Sequence, residues 1–366
     1  MNIAICSSGD LFGGVERLIL TLARELRSCR RYRACVVLFS KGILYDTLRR
    51  HDIETEVFDV PRYDPTVIGR LARFFKHRRI AVAHTHGYKA NLLCGVAAKL
   101  SRTRIVKTEH GGLEPLMLLQ RARLSANVGV DRFQSPYLID RIVYVCKDIQ
   151  RRNGKYYRNV PGEVIYNGIA HADLESSSPG PELEPGLFHI GIVGRLTAVK
   201  GHMYLLQALQ NLPFPDLRLH VIGEGELQRE LEAFSRRHGL SERVHFLGFR
   251  ADAAQYVRSL DAVVMPSLHE GFPYAMLEAG YWGVPLIASR VGGMQEVLSD
   301  GNECLLVEPR NVEQLAAAIE RLHRDPDLRK EIGENARRKV RENFLIDSTA
   351  KKYLAVYEES VNGRIH

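Results

Sequence analysis

Cysteine is scarce and scattered. The six in this 366-residue chain stand at 6, 29, 35, 94, 146 and 304 with no CxxC pair. That spacing argues against a disulfide framework or a zinc site and for a reducing, cytosolic compartment. No run of eighteen apolar residues exists, so no segment is long enough to span a bilayer. Met1-Asn2-Ile3-Ala4-Ile5-Cys6 carries neither a charged leader nor a cleavage site and reads as a first strand, not a signal peptide. Gly-x-Ser-x-Gly and a Ser-His-Asp spacing are missing, so a hydrolase of that type is unsupported. Basic segments lack interleaved aromatics, which leaves nucleic acid without a recognisable site. Wholesale disorder is excluded as well, because 45% hydrophobic and 26% charged residues are globular values.

What is present is an alternation of strands and helices. The length suits two domains. Short apolar runs predict strands at Asn2–Cys6, Ala34–Phe39, Glu54–Phe58, Ile80–Ala83, Arg104–Thr108, Ile142–Val145 and Glu163–Tyr166. Val15, Leu18, Ile19, Leu22 and Leu26 repeat at helical spacing between the first two, and Asn91–Leu100 reads as a small-residue helix. Residues 175–186, rich in Pro, Gly, Ser and Glu, form the clearest linker. The same grammar restarts beyond it, with strands expected at 188–193, 217–222, 244–247, 262–265, 285–288 and 304–307. A last amphipathic helix is expected over Asp347–Glu359, with Ala350, Leu354 and Tyr357 on one side. This βα alternation predicts an α/β fold with parallel sheets covered on both faces.

Three loops carry the chemistry. Gly9 and Gly13-Gly14 precede a helix start, where free N–H groups and the positive dipole end suit a phosphate, although the loop lacks GxGxxG and Walker A. In Gly194-Arg195-Leu196-Thr197-Ala198-Val199-Lys200-Gly201, two cations share one strand-to-helix loop. Arg195 can grip phosphate oxygens bidentately and Lys200 can act as a mobile point charge; solvated loop cations are the bland alternative. The third loop, residues 266–285, places Glu270 in a Gly/Pro-containing turn and Glu278 eight positions later on a helix. Two acids so placed suit a ligand with two sets of hydroxyls, as in a nucleotide sugar.

The ordered set of motifs resembles the retaining glycosyltransferases of family 4. It comprises Gly13-Gly14-Val15-Glu16, Thr108-Glu109-His110-Gly111-Gly112, Tyr166-Asn167-Gly168-Ile169, Gly194-Arg195-Leu196 with Lys200-Gly201, Ile222-Gly223-Glu224-Gly225, Glu270-Gly271-Phe272-Pro273 with Glu278-Ala279, and Val291-Gly292-Gly293 with Glu296. The resemblance implies the GT-B architecture: two Rossmann-like, doubly wound parallel-sheet domains facing a central cleft. It places an acceptor-side domain at 1–174, a donor-binding domain at 175–344, and a final helix, about 345–366, packed back on the first domain. It further implies that Arg195 and Lys200 hold the diphosphate, that Glu278 holds the ribose hydroxyls, and that Glu270 contacts sugar hydroxyls with help from backbone N–H groups at Gly271 and Phe272. Gly14 would let the first loop approach the phosphates, and His110 would sit at the sugar. Four positions depart from the family's usual pattern: Tyr281 and Trp282 after the second acid, Cys146 in place of a capping Ser, and Val199 before the lysine. Phe272, Pro273 and Tyr274 are candidates for tuning the choice of sugar.

Other features are weaker. His84 and His86 point to one face of a strand end but lack a third ligand, so contact with substrate or a capping role is preferred to a metal site. Asp325-Pro326-Asp327 imitates a metal-binding Asp-x-Asp but has the Asp-Pro order of a helix start. The net charge of +8 is concentrated in the first half, at Arg62, Arg70, Arg73, Lys76, Arg78 and Arg79 and at Arg121 and Arg123. It fits either an anionic membrane surface or phosphorylated acceptor, or simply a solvated helix face. The expectation is therefore a metal-independent, cofactor-free, retaining glycosyltransferase. It would use a nucleoside-diphosphate sugar and a glycan or lipid-linked acceptor, in surface polysaccharide or lipopolysaccharide synthesis, in the cytoplasm or on the inner face of a membrane. A nucleotide-sugar epimerase of the same fold and a non-catalytic binding subunit are the alternatives.

Overall fold

A computed structural model describes residues 1–9, 13–29, 31–59, 64, 66–111, 118–175 and 180–363, the side chains of 118–127, 172 and 173 excepted. Arg62, Gly112 and the side chains of Arg121 and Arg123 lie outside the described residues. The chain divides into two compact units, Met1–Gly168 with Ile346–His366, and Ile169–Leu345.

The first unit holds strands β1 (Asn2–Ser7), β2 (Arg33–Leu38), β3 (Thr55–Val57), β4 (Ile80–His86), β5 (Arg104–Glu109), β6 (Arg141–Tyr144) and β7 (Gly162–Val164). They hydrogen-bond in the order β3-β2-β1-β4-β5-β6-β7, every pair parallel. The second unit holds β8 (Phe188–Val193), β9 (Leu217–Ile222), β10 (Val244–Gly248), β11 (Ala262–Met265), β12 (Leu286–Ser289) and β13 (Leu305–Val307). Their order is β10-β9-β8-β11-β12-β13, again all parallel. Helices cover both faces of such sheets, so central strands are apolar without alternation. Ile3, Ala4, Ile5 and Cys6 of β1, and Ala262, Val263 and Val264 of β11, are all fully buried. Both units are Rossmann-like parallel sheets, the arrangement of the GT-B fold.

All thirteen expected strands are found, with ends shifted by a few residues. The described residues also form a helix that the sequence reading leaves without an element, Leu118–Leu138. Gly129 and Pro136 interrupt its sequence pattern. The last helix runs Ile346–Asn362 and packs on the helix Gly14–Ser28 and on β4 and β5 of the first unit. Its inward stripe is Ala350, Tyr353, Val356 and Tyr357; Tyr353, not the half-buried Leu354, completes the buried face. Each tyrosine ring is buried while its hydroxyl finds a partner on the sheet. Tyr357 Oη bonds His84 Nδ1 at 2.7 Å and Tyr353 Oη bonds Thr108 Oγ1 at 3.2 Å.

Asp325 behaves as a helix cap. Its carboxylate accepts from the Leu328 N–H at 2.9 Å, with Pro326 at the first helical position of Pro326–Asn343. Tyr281 and Trp282, unusual after the second acid, are well accommodated. Tyr281 Oη bonds His171 and Glu175, and Trp282 Nε1 donates to the Ala254 carbonyl at 3.0 Å. Cys146 precedes the helix Lys147–Asn153 without a side-chain capping bond.

Candidate active site

In an open parallel sheet the strand order reverses at one place, and the loops leaving the C-terminal strand ends there splay apart. In the second unit that place lies between β8 and β11. The loop Gly194–Gly201 leaves β8, and the loop from Pro266 to Pro273 leaves β11. Main-chain bonds staple these two loops to each other and to the loops after β9 and β12. Leu268 N donates to Val199 O at 2.7 Å, Leu196 N to Glu224 O at 2.9 Å, and Gly293 N to Gly271 O at 2.8 Å. Two glycines permit this closeness. Gly201 has φ +73°, and a Cβ there would stand 2.0 Å from the Pro266 carbonyl oxygen. Gly292, at φ +53°, would bring a Cβ to 2.1 Å from the Glu270 carbonyl oxygen. Neither position tolerates a side chain without moving the loop that carries the acid.

The staples bring two of the expected site residues into contact. Lys200 Nζ donates to Glu270 Oε1 at 2.7 Å, and Ser267 Oγ donates to the same oxygen at 2.7 Å. The lysine side chain is 21% exposed and the glutamate 8%. The sequence alone assigns these groups to different parts of a ligand, yet seventy positions apart they form one ion pair. An ammonium has three donors, so the pair leaves Lys200 able to engage an anion as well. Arg195 is exposed on the same loop. Glu278 lies in the second turn of the helix Tyr274–Trp282, only 2% exposed. Val199 is buried, which accounts for an apolar residue before the lysine. Phe272 is 3% exposed, with its ring centroid 5.2 Å from that of Phe344. Tyr274, which opens the helix that carries Glu278, is buried as well. Ser267 has no sequence signal beyond standing three residues before Glu270. His202, just after Gly201, is buried, and burial followed by the Lys200 charge pushes its imidazole down to about 4.

In the first unit the switch lies between β1 and β4. Gly14 opens the helix Gly14–Ser28 and is exposed. The Glu16 carboxylate turns back to accept from the Gly13 N–H at 2.9 Å, capping the helix start from within. At the ends of β4 and β5 stand His84, His86 and His110. His84 Nε2 and Thr108 Oγ1 are 2.7 Å apart, and His86 Nδ1 and His110 Nε2 are 2.8 Å apart. Burial pushes His84 down to about 3 and His110 to about 4, and holds His86 well below its usual value, so all three are neutral near pH 7. On the opposite face of the sheet, Lys107 Nζ bonds Asp131 Oδ2 at 2.6 Å and Tyr157 Oη at 2.7 Å, with Glu109 Oε2 at 3.4 Å. Burial opposes this ammonium, but the Glu109 and Asp131 carboxylates outweigh it and raise the lysine above its usual range. Among the described residues no group of three or more His, Cys, Asp or Glu side chains is arranged to hold a metal ion.

Two doubly wound parallel sheets with charged and glycine-bearing loops at their switch points define the chain as a GT-B protein. Family comparisons agree with that class. Residues 12–173 match the family described as Glycosyltransferase Family 4, and residues 178–339 match Glycosyl transferases group 1. The chain belongs to this glycosyltransferase family. It is 26% identical over 386 aligned positions to the UDP-Gal:alpha-D-GlcNAc-diphosphoundecaprenol alpha-1,3-galactosyltransferase of Escherichia coli, covering 99% of this chain and 97% of that one. An uncharacterized glycosyltransferase of Methanocaldococcus jannaschii is 30% identical over 241 residues; the match spans 62% of each chain. A second protein from that archaeon matches over 60% of its own length. In fold, the crystal structure of Anabaena HepE in complex with UDP-glucose superposes with a TM-score of 0.85, at 23% identity, covering 98% of this chain and 100% of that one.

Proposed function

We propose that the protein transfers a sugar from a nucleoside-diphosphate sugar to an acceptor hydroxyl with retention of anomeric configuration. The observation that carries this reading is the Lys200–Glu270–Ser267 cluster at the switch point, 2.7 Å at each contact. A diphosphate gains negative charge as its bond to the sugar breaks. A cation already fixed by a carboxylate stabilises that charge without reorganising, and so favours the transition state over the ground state. Arg195, on the same loop, adds a second cation with bidentate reach. Glu278 binds the ribose hydroxyls. Glu270 holds Lys200 through one oxygen and offers the sugar hydroxyls its other, together with the Gly271 and Phe272 backbone N–H groups. Gly14 gives the first unit's loop access to the phosphates, and His110 meets the sugar. With no carboxylate assigned as a nucleophile, the acceptor attacks from the face the diphosphate leaves, its proton passing to the departing phosphate oxygen.

Two cations placed for the leaving group make a metal dispensable, so chelation by EDTA should leave turnover unchanged. The E. coli relative named above acts on a diphosphoundecaprenol-linked sugar, and HepE was crystallised with UDP-glucose. These names support a uridine-diphosphate donor and a lipid-linked glycan acceptor in surface-glycan synthesis at the cytoplasmic face of a membrane. Exposed Arg70, Arg73, Lys76, Arg78 and Arg79 supply cations for an anionic surface. No helix among the described residues is long and apolar enough to cross a membrane. The test is a panel of nucleoside-diphosphate sugars assayed for release of nucleoside diphosphate, with and without lipid-linked acceptors. One donor should stand out, and its release should depend on acceptor. A new nucleotide sugar formed from donor alone would instead indicate an epimerase.

A further inference from the structure

His86 and His110 present a proton-placement problem that the geometry resolves. Each ring is neutral, so each carries one proton on two nitrogens. The bond between His86 Nδ1 and His110 Nε2, at 2.8 Å, needs one donor and one acceptor. If His110 donated from Nε2, the His86 proton would have to sit on Nε2. That nitrogen is buried and has no hydrogen-bond partner among the described residues. A buried N–H without an acceptor is a costly and rare arrangement, rarer than an under-used acceptor. His86 cannot turn away to relieve it. Its ring lies 4.2 Å from that of His84, and His84 is itself bound at both nitrogens, by Thr108 and by Tyr357 of the last helix.

We propose that His86 is a positioning residue that fixes His110 as its Nδ1–H tautomer, so that His110 meets the ligand as a hydrogen-bond donor and not as a base. His86 Nδ1–H donates to His110 Nε2, which leaves the His110 proton on Nδ1. The only unprotonated nitrogen of His110 is then occupied by His86 and cannot take a proton from an acceptor hydroxyl. His110 instead offers an N–H to a ligand oxygen, either a sugar hydroxyl oxygen or a phosphate oxygen. This deepens the proposed transfer reaction and rests on it for the identity of the ligand. The tautomer itself does not depend on that reading.

The test is long-range proton–nitrogen NMR on the full-length protein labelled with nitrogen-15 histidine, with His110 assigned by its loss in His110→Asn. The expected spectrum shows a pyrrole-type Nδ1 and a pyridine-type Nε2 for His110. The reverse pattern in the unmodified protein overturns the proposal, whatever the variants do. His86→Leu should move His110 toward the Nε2–H form and lower kcat about tenfold, the scale of one hydrogen bond, with KM for the donor little changed. His86→Asn keeps an N–H donor and should restore both tautomer and rate. A His86→Leu protein whose His110 remains Nδ1–H also overturns the proposal. For the ligand contact, His110→Asn should transfer faster than His110→Gln, because the asparagine amide lies nearer the place of Nδ1. Equal rates with the predicted NMR pattern would keep the tautomer and sink the assignment of His110 to the donor sugar.

Discussion

Two lysine–carboxylate pairs, one in each unit, have nearly equal lengths and opposite meanings. Lys107–Asp131 spans 2.6 Å, with side chains 3% and 4% exposed. Lys200–Glu270 spans 2.7 Å, with side chains 21% and 8% exposed. The first sits inside a closed network. Asp131 also accepts from Asn91 Nδ2 at 2.5 Å, Tyr157 Oη donates to Glu109 Oε2 at 3.2 Å, and Asn153 Nδ2 donates to the other Glu109 oxygen at 3.2 Å. The second sits on strand-end loops, with the lysine partly open. On the role proposed for Lys200, the difference teaches that an ion pair becomes chemically useful when one partner keeps access to solvent and the backbone beneath it is clamped. A sealed pair only fixes the elements that bear it, here β5 and the helix Leu118–Leu138.

The largest effect should come from opening the sealed pair. Lys107→Met strands the Asp131 and Glu109 carboxylates in the interior and should cost the first unit roughly 3–5 kcal/mol. Circular dichroism should show an early thermal transition. Fluorescence of Trp282, the single tryptophan, reports the second unit and should keep its own midpoint. If Lys107→Met melts at the wild-type temperature, the pair is not structural and the contrast is lost. Lys200→Ala should do the reverse. Stability should change by less than about 1 kcal/mol, since the pair is partly solvated, while kcat falls roughly 10²–10³-fold or more as the leaving diphosphate loses a fixed cation. Full turnover in Lys200→Ala would remove this residue from the leaving-group site.

Much of this contrast was open to a reader of the sequence, but not its pairing. Buried parallel strands read as continuous apolar runs, so every strand could be placed from residues such as Ile3–Cys6 and Ala262–Met265. The loop cations and the acids at 270 and 278 stand out because Gly and Pro surround charged residues next to such runs. That Lys200 touches Glu270 depends on β11 lying beside β8, and strand order is a property of the packed sheet. The long helix Leu118–Leu138 has no clear sequence signature because Gly129 and Pro136 interrupt its period. Sequence spacing alone puts Leu354 on one side of the last helix with Ala350 and Tyr357, but Tyr353 takes that place. A tyrosine reads as amphipathic until a partner for its hydroxyl, here Thr108, is known. His86 likewise gains meaning only from His110, which reaches it from the neighbouring strand end.

Acid should separate the units further. His84, His86 and His110 in the first unit, and His202, His220 and His245 in the second, all lie below the ordinary histidine value, in each case chiefly because burial disfavours the charged ring. The unfolded chain therefore binds protons near pH 6.5 that the folded chain refuses. Stability is complete above that pH and declines as pH falls toward about 3 for His84 and about 4 for His110, His202 and His220. One histidine moved from 6.5 to about 4 corresponds to about 3 kcal/mol by pH 4. Urea midpoints should be flat from pH 8 to 7 and drop steadily from pH 6 to 5. The transition seen by circular dichroism should fall at least as far as that seen at Trp282, because His84 and His86, at 0% and 2% exposure, are the most deeply enclosed. A midpoint that rises on acidification would contradict the burial argument.

The smallest effect belongs to a residue of the second unit away from its loops. Asp325 closes the N-terminus of Pro326–Asn343 by accepting the Leu328 N–H at 2.9 Å. Asp325→Ala should cost about 1 kcal/mol, the ordinary worth of such a cap, and lower the Trp282 midpoint by a few degrees. Turnover at saturating donor should not change, because the Lys200–Glu270–Ser267 contacts rest on main-chain bonds among the loops after β8, β9, β11 and β12 and not on this helix start. Lys200→Ala loses chemistry and keeps stability, while Asp325→Ala loses stability and keeps chemistry. A proportional loss of turnover in Asp325→Ala would mean that the strand-end loops borrow their rigidity from the helix, and that exposure alone does not set the functional pair apart from the sealed one.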